Sequence, residues 1–82
     1  TQVAISGSAF GGLTVAKGAT VTWKNNDGMP HTATSDGTSA FQFDTGNIAT
    51  GATSNGITFS QSGTFAYHCR IHSGMHGTII VQ

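Results

Sequence analysis

The sequence predicts an all-β fold, and three observations favour this class. Residues that stabilise helices are scarce, since glutamate is absent and lysine and arginine together number 3. Threonine, aromatic and β-branched residues fall instead in short runs of the kind found in strands. Turn sequences rich in glycine, asparagine and serine separate these runs at regular intervals. Short strands with this spacing are typical of a β-sandwich or a β-barrel.

The first four predicted strands are separated by turns that contain glycine. The run "QVAIS" at residues 2–6 is followed by "GG", and the short run at residues 13–15 by "KG". The run "ATVTWK" at residues 19–24 ends before "NNDG", and the run at residues 31–35 leads into "SDG". Such sequences favour turns because glycine accepts positive φ, and because Asn and Asp side chains bond to the nearby backbone.

The other predicted strands cover residues 40–43, 56–60, 64–69 and 78–82. In several of these strands, apolar side chains recur at every second position, so one face of each strand is expected to face the core. Clear examples are Val21 and Trp23, Ile57 and Phe59, and Phe65, Tyr67 and Cys69.

Length and charge limit the possible functions. The 82 residues predict one domain, residues 1–82, with a single small core. Charged residues make up 7% of the chain and the formal net charge is zero, so we expect no nucleic-acid partner and no anionic membrane surface as a partner. No apolar run is long enough to insert into a membrane, and the first residues do not resemble a signal peptide. We expect any export signal or membrane anchor to lie outside the numbered residues.

The stretch "YHCRIHSGMHG" at residues 67–77 gathers the only cysteine, three of the 4 histidines and one of the 2 methionines. Cys69 cannot form an internal disulfide, so it is a buried thiol, a reactive thiol, an intermolecular partner or a metal ligand. Strand alternation directs Cys69 toward the core and His68 away from it. The glycines after Cys69 suit a tight loop that returns His72 and Met75 toward the sulfur.

A second imidazole is available from His31, the only histidine outside this stretch. Two imidazoles and one thiolate, with a weak and distant thioether, are the ligand set of a type 1 copper site. The thiolate binds Cu(II) strongly, imidazole suits both oxidation states, and the thioether favours Cu(I). The sequence therefore predicts one copper ion, cycling between Cu(I) and Cu(II), with His31, Cys69, His72 and Met75 as its ligands.

Other interpretations of these residues are weaker. The histidines at 68, 72 and 76 have the spacing of one face of a helix, but the neighbouring glycines and the preceding strand pattern oppose a helix. Met29 is interpreted as a packing residue beside the site, and Arg70 as a solvated charge in the loop. His68 is expected on the outer face and His76 on the rim of the site.

The chain resembles the cupredoxins, the small blue copper proteins such as plastocyanin and amicyanin, over essentially its whole length. The matching residues are Pro30 and His31 in "MPHT", the run "SGTFAYHC" ending at Cys69, His72, Met75, and Gly77 before "TIIV". The resemblance implies a cupredoxin-like Greek-key β-sandwich of about seven to eight strands. It also implies that the first three ligands are equatorial and the methionine axial.

The chain departs from the family pattern at two places. Family members commonly carry Asn directly after the first histidine ligand, where its side chain ties the two ligand-bearing loops together, but this chain has Thr32. Many relatives also have Pro or Phe between the last histidine and the methionine, where this chain has Ser73 and Gly74. The second difference predicts a more open axial side.

The leading functional hypothesis is a one-electron carrier rather than an enzyme. We expect a monomer that meets redox proteins transiently near His72, over a small and weakly polar interface. The residues expected to surround that contact are Gly12, Met29, Pro30, Ile71 and Gly74. The resemblance implies a location outside the cytoplasm, in the periplasm or at the outer cell surface. This location includes the case of a membrane anchor in a segment outside these residues.

Two alternatives remain at this point. An open or labile axial position would let a small molecule such as nitric oxide react at the copper. Alternatively, the chain is a structural β-sandwich that binds zinc or no metal, since histidine and cysteine also suit zinc.

Overall fold

Eight short strands in two sheets form the fold, which a computed structural model describes for residues 1–82. The strands are β1 Gln2–Ser6, β2 Ala9–Phe10, β3 Leu13–Val15, β4 Thr20–Asn25, β5 Thr34–Ser35, β6 Ile57–Thr58, β7 Gly63–His68 and β8 His76–Val81. None of the chain forms a helix with the length and apolar character needed to cross a membrane.

Each sheet has four strands. The first has the order β2-β1-β4-β6, in which β1 runs parallel to β4 and antiparallel to β2. The second has the order β3-β8-β7-β5, in which β7 is antiparallel to both of its neighbours and β3 is parallel to β8. The predicted all-β class and the sandwich of about seven to eight strands are confirmed by this arrangement.

Aromatic side chains from both sheets form the core between them. Trp23 of β4 and Tyr67 of β7 are completely buried, and the Trp23 indole N–H donates to the Tyr67 hydroxyl across 3.1 Å. This bond satisfies both polar atoms, so their burial does not incur the cost of an unpaired group. The predicted inward faces are confirmed, except that Ile57 is only partly buried because β6 lies at the edge of its sheet.

The predicted strand at residues 40–43 is wrong. Contact with β5 is limited to one isolated bridge between Thr34 and Asp44, beside which the Phe43 carbonyl accepts a hydrogen bond from the Ser35 N–H at 2.9 Å. The Phe43 N–H donates to the Ser35 hydroxyl at 2.8 Å rather than to a backbone carbonyl. The Gln42 side chain also donates to the Asp36 carbonyl. Because side chains replace backbone partners here, the ladder does not extend along the segment.

The predicted strand at residues 31–35 is shortened to its last two residues. His31 and Ile48 exchange two backbone hydrogen bonds, of 3.2 and 2.7 Å, and Ala33 accepts one from Thr45. The backbone before β5 therefore bonds to the segment that contains Thr45 and Ile48, and only β5 itself joins β7. The predicted strands at residues 2–6 and 13–15 match the structure at both ends, and the bounds of the other four differ by one or two residues at each end.

One strand was not predicted at all. β2 forms a hairpin with β1 through a two-residue turn at Gly7 and Ser8, whose φ angles are 58° and 56°. Positive φ at both central residues is the requirement of a type I′ turn. The Gly-Ser pair was a usable signal for this hairpin, although two residues of strand show no alternation that a pattern search can detect.

Gly77 offers a test of the packing between β7 and β8. A Cβ atom at Gly77 would lie 2.5 Å from the Tyr67 hydroxyl oxygen, and Tyr67 has no free space into which to move. We expect Gly77→Ala to lower the free energy of unfolding by about 1–3 kcal/mol, measured by urea denaturation. Gly37→Ala is the control, since nothing lies within 4 Å of its added Cβ. Equal unfolding free energies for both variants would contradict this packing.

Candidate metal centre

Three metal-binding side chains converge at one end of the sandwich. The donor atoms of His31, Cys69 and His72 all lie within 4.8 Å of one another. The Nδ1 atom of each imidazole lies 3.8 Å from the Cys69 sulfur. Metal bonds of about 2.3 Å to sulfur and about 2.0 Å to nitrogen would span this separation at an angle of about 120°. The spacing therefore fits one ion shared by the thiolate and both imidazoles.

His31 is fixed on both sides of its ring. The side chain is completely buried, and its Nε2–H donates to an Asp27 carboxylate oxygen at 3.0 Å, which leaves Nδ1 facing the sulfur. Burial acts to lower the pKa of His31, but its hydrogen bonds with Cys69 and Asp27 outweigh burial and raise that pKa above its usual value. A carboxylate on the far nitrogen is the usual support of a metal-binding imidazole, since it fixes the tautomer and the ring orientation.

Cys69 follows β7 directly and points into the core, as the strand pattern predicted. Its sulfur accepts a hydrogen bond from the Thr32 backbone N–H at 3.4 Å. Burial acts to raise the pKa of the thiol, but the hydrogen bond from the Thr32 N–H and those shared with His72 and His31 outweigh burial and lower the pKa to about 6. The protein thus favours the thiolate at neutral pH, and the thiolate is the form that binds metals.

The loop between β7 and β8 places His72 and Met75. The Cys69 N–H donates to the Met75 carbonyl at 3.1 Å, and Gly74 makes the turn with a φ of 90°. The His72 ring, which is partly exposed, is directed at the sulfur from this loop. The Met75 side chain is 5% exposed and lies at the end of the same short loop. The structure therefore brings His31, Cys69 and His72 together. It buries Met75, which lies three residues after His72 in the same loop.

Thr32 connects the two segments that carry His31 and Cys69. Its hydroxyl accepts a hydrogen bond from the Arg70 backbone N–H at 2.8 Å, while its own N–H donates to the sulfur. Thr32 is completely buried, so water does not compete for these bonds. The threonine hydroxyl therefore links the two segments, as the family pattern assigns to Asn at this position.

Two supporting residues were missed by the sequence analysis, which treated "NNDG" only as a turn. Asn25 is completely buried, and its amide donates to the carbonyls of Met29 and Ile48 at 2.8 and 2.9 Å. Its side-chain oxygen accepts a bond from the Asp27 N–H. Asn25 therefore holds the loop that presents Asp27 to His31. A carboxylate four residues before a candidate ligand was the available signal.

The remaining residues singled out in the sequence lie outside the three-residue cluster. The His68 ring is directed toward Asp36, as predicted for the outer face, and His76 is exposed. Met29 is 52% exposed, so its interpretation as a packing residue is wrong. The Arg70 guanidinium is a half-exposed charge that lies 3.2 Å from the Asp44 carboxylate. Exposed pairs of this kind contribute little to stability.

The ionisation of Cys69 gives a direct test of this hydrogen-bond arrangement. In the metal-free protein, we expect the thiolate absorption in the ultraviolet to appear with a midpoint near pH 6. Replacing His72 by Ala removes one of the donors that favour the thiolate, so the midpoint is expected to rise. A wild-type midpoint near the ordinary cysteine value of about 8.5 would contradict the arrangement.

Comparison with known proteins gives matches over nearly the whole chain. A family model described as copper binding proteins, plastocyanin/azurin family, matches residues 10–82. A plastocyanin from Scenedesmus fuscus is 32% identical over 87 aligned positions, covering 85% of this chain and 81% of the relative. An amicyanin from Paracoccus denitrificans is 35% identical over 74 positions, covering 85% of this chain. The chain spans 54% of the length of that amicyanin.

Solved structures of amicyanin share the fold. A mutant of amicyanin in its reduced Cu(I) form at pH 4 superposes with a TM-score of 0.88 at 27% identity, covering 99% of this chain and 80% of that one. A second reduced mutant has a TM-score of 0.89 at 27% identity and covers 100% and 81%, respectively.

Proposed function

Because the chain belongs to the plastocyanin/azurin family of copper binding proteins, we propose that it carries single electrons by means of one copper ion. The ligands are His31, Cys69, His72 and Met75. The observation that carries the proposal is the placement of two imidazole nitrogens at 3.8 Å from one thiolate sulfur. Bound copper supplies a one-electron couple between Cu(I) and Cu(II).

The protein's contribution is to hold the donors in place in both oxidation states. The His31 ring is held by Asp27, and the Cys69 sulfur is held by the Thr32 N–H, so neither depends on the metal for its position. Met75 is buried, and its thioether is a soft donor that favours the reduced ion. Donors fixed in advance need little rearrangement when the charge on the metal changes, which favours fast electron transfer.

Electrons are proposed to enter and leave at the partly exposed edge of His72. The neighbouring Ile71 side chain is 43% exposed, and Met29 near His31 in the sequence is 52% exposed. Exposed apolar side chains beside an exposed ligand suit brief contacts with redox proteins over a small area. We propose a monomeric carrier that works outside the cytoplasm, a location that rests on the resemblance to plastocyanin and amicyanin.

Spectroscopy of the copper-loaded protein tests this function. We expect addition of Cu(II) to give an intense thiolate-to-copper colour that ascorbate bleaches and an oxidant restores. Cys69→Ser is expected to abolish the colour because the sulfur supplies the transition, while the sandwich remains folded by circular dichroism. Met75→Leu is the matched control, since it removes the thioether alone and is expected to keep the colour and raise the reduction potential.

The same measurements separate the alternatives. A preference for zinc with no colour after Cu(II) addition would favour a structural site and contradict the carrier. Consumption of nitric oxide by the reduced protein, without reversible electron exchange at an electrode, would favour the reactive site.

A second test concerns the hydrogen bond between the Asp27 carboxylate and the His31 ring. Asp27→Asn removes the charge that makes the imidazole a stronger donor to Cu(II), so Cu(II) affinity is expected to fall by about tenfold or more. The reduction potential is expected to rise, because the oxidised ion loses more stabilisation than the reduced ion. The control is Asp44→Asn, which removes a carboxylate charge that contacts Arg70 and the Thr34 hydroxyl but not His31. Matching affinities and potentials in the two variants would exclude Asp27 from this role.

A further inference from the structure

His68 and His76 lie directly opposite each other where the β7–β8 hairpin opens into its loop. The next pair along, Cys69 and Met75, carries a ladder hydrogen bond of 3.1 Å from N–H to carbonyl. Because such pairs alternate, the two histidines form a non-hydrogen-bonded pair, the kind in which opposite Cα atoms are about 4.5 Å apart and side chains are closest. Tyr67 and Cys69 face the core, so both histidines project from the outer face of the sheet.

The His68 ring is held by a carboxylate. Its Nδ1 lies 2.7 Å from an Asp36 oxygen, so the N–H at this position donates to the carboxylate and the lone pair remains on Nε2. This is the arrangement in which a carboxylate orients a metal-binding imidazole. His76 is exposed and takes part in no side-chain hydrogen bond, so its ring is free to turn toward an ion bound at Nε2 of His68.

The space and the charge beside the pair suit a cation. An open cavity of about 660 Å³ is lined by both histidines together with Cys69, Arg70, Ser73 and Gly74. The Asp36 carboxylate contributes negative charge to this side of the sheet. Arg70 contributes the only fixed positive charge, and that charge lies against the Asp44 carboxylate at 3.2 Å. Water in the cavity can complete the coordination of an ion held by two imidazoles.

We propose that His68 and His76 bind a second metal ion on the outer face of the sheet, a divalent cation of the class that prefers imidazole, such as Zn²⁺. Asp36 positions His68 and does not itself bind the ion. The site shares no ligand with the cluster of His31, Cys69 and His72, so it does not depend on the function proposed for that cluster.

A Zn²⁺ titration of the copper-loaded, ascorbate-reduced protein tests the site, because both Cu(I) and Zn²⁺ leave the NMR spectrum free of paramagnetic broadening. We expect one equivalent of Zn²⁺ to shift the ring signals of His68 and His76 and to leave those of His31 and His72 unchanged. Calorimetry under the same conditions is expected to show one site. No shift in any ring signal, or shifts confined to His31 and His72, would overturn the proposal.

Variants then identify the ligands. His76→Gln removes an exposed imidazole without disturbing the core, and we expect it to weaken Zn²⁺ binding by tenfold or more. Asp36→Asn is expected to weaken it by about tenfold through the orientation of His68. Ser73→Ala changes the wall of the same cavity and removes no imidazole, so it is expected to retain wild-type affinity. Undiminished binding in His76→Gln would show that the ion lies elsewhere and would overturn the proposal.

Discussion

The candidate metal centre depends on the pairing of β5 with β7, which brings two distant segments of the chain side by side. Thr34 lies opposite His68 in this pairing, and Thr32 is therefore placed against the residues that follow β7. From there its N–H reaches the Cys69 sulfur, and its hydroxyl accepts from the Arg70 backbone N–H. Without this contact, His31 and Cys69 would have no fixed relation to each other. A short strand of two residues thus places the segment that carries His31 beside Cys69.

The two sides of the site differ in how firmly the protein holds them. On one side, His31 is buried and is connected through Asp27 to the buried Asn25. The other side is the loop that carries His72, which is partly exposed and has few supporting contacts. This asymmetry suits a carrier, because the buried side fixes the donor geometry while the exposed side remains available to partners. A reactive site would need an open path to the metal, and the burial of Met75 opposes one on the side of that residue.

The prediction from sequence was more accurate for the side chains of the cluster than for the backbone segments that hold them. Cys69 and His72 are rare residue types at short spacing, and strand alternation assigned the direction of the sulfur, so local pattern was sufficient. The strand expected at residues 40–43 has the alternation of a real strand, but the Ser35 hydroxyl takes the place of a ladder acceptor there. The support from Asp27 depends on how a loop folds in three dimensions. Such side-chain bonds to backbone or to distant residues leave no periodic signal.

The uneven distribution of the proposed metal ligands along the chain has a consequence for unfolding. Cys69, His72 and Met75 belong to one short loop, whereas His31 lies 38 residues before Cys69. An unfolded chain would keep the local residues near one another and would lose only the distant imidazole. It would therefore retain part of its affinity for a metal ion, and ligands that bind the unfolded state stabilise the native state less than their affinity suggests. When the metal-loaded protein is heated, the sandwich should therefore unfold at a lower temperature than the one at which the ion is released.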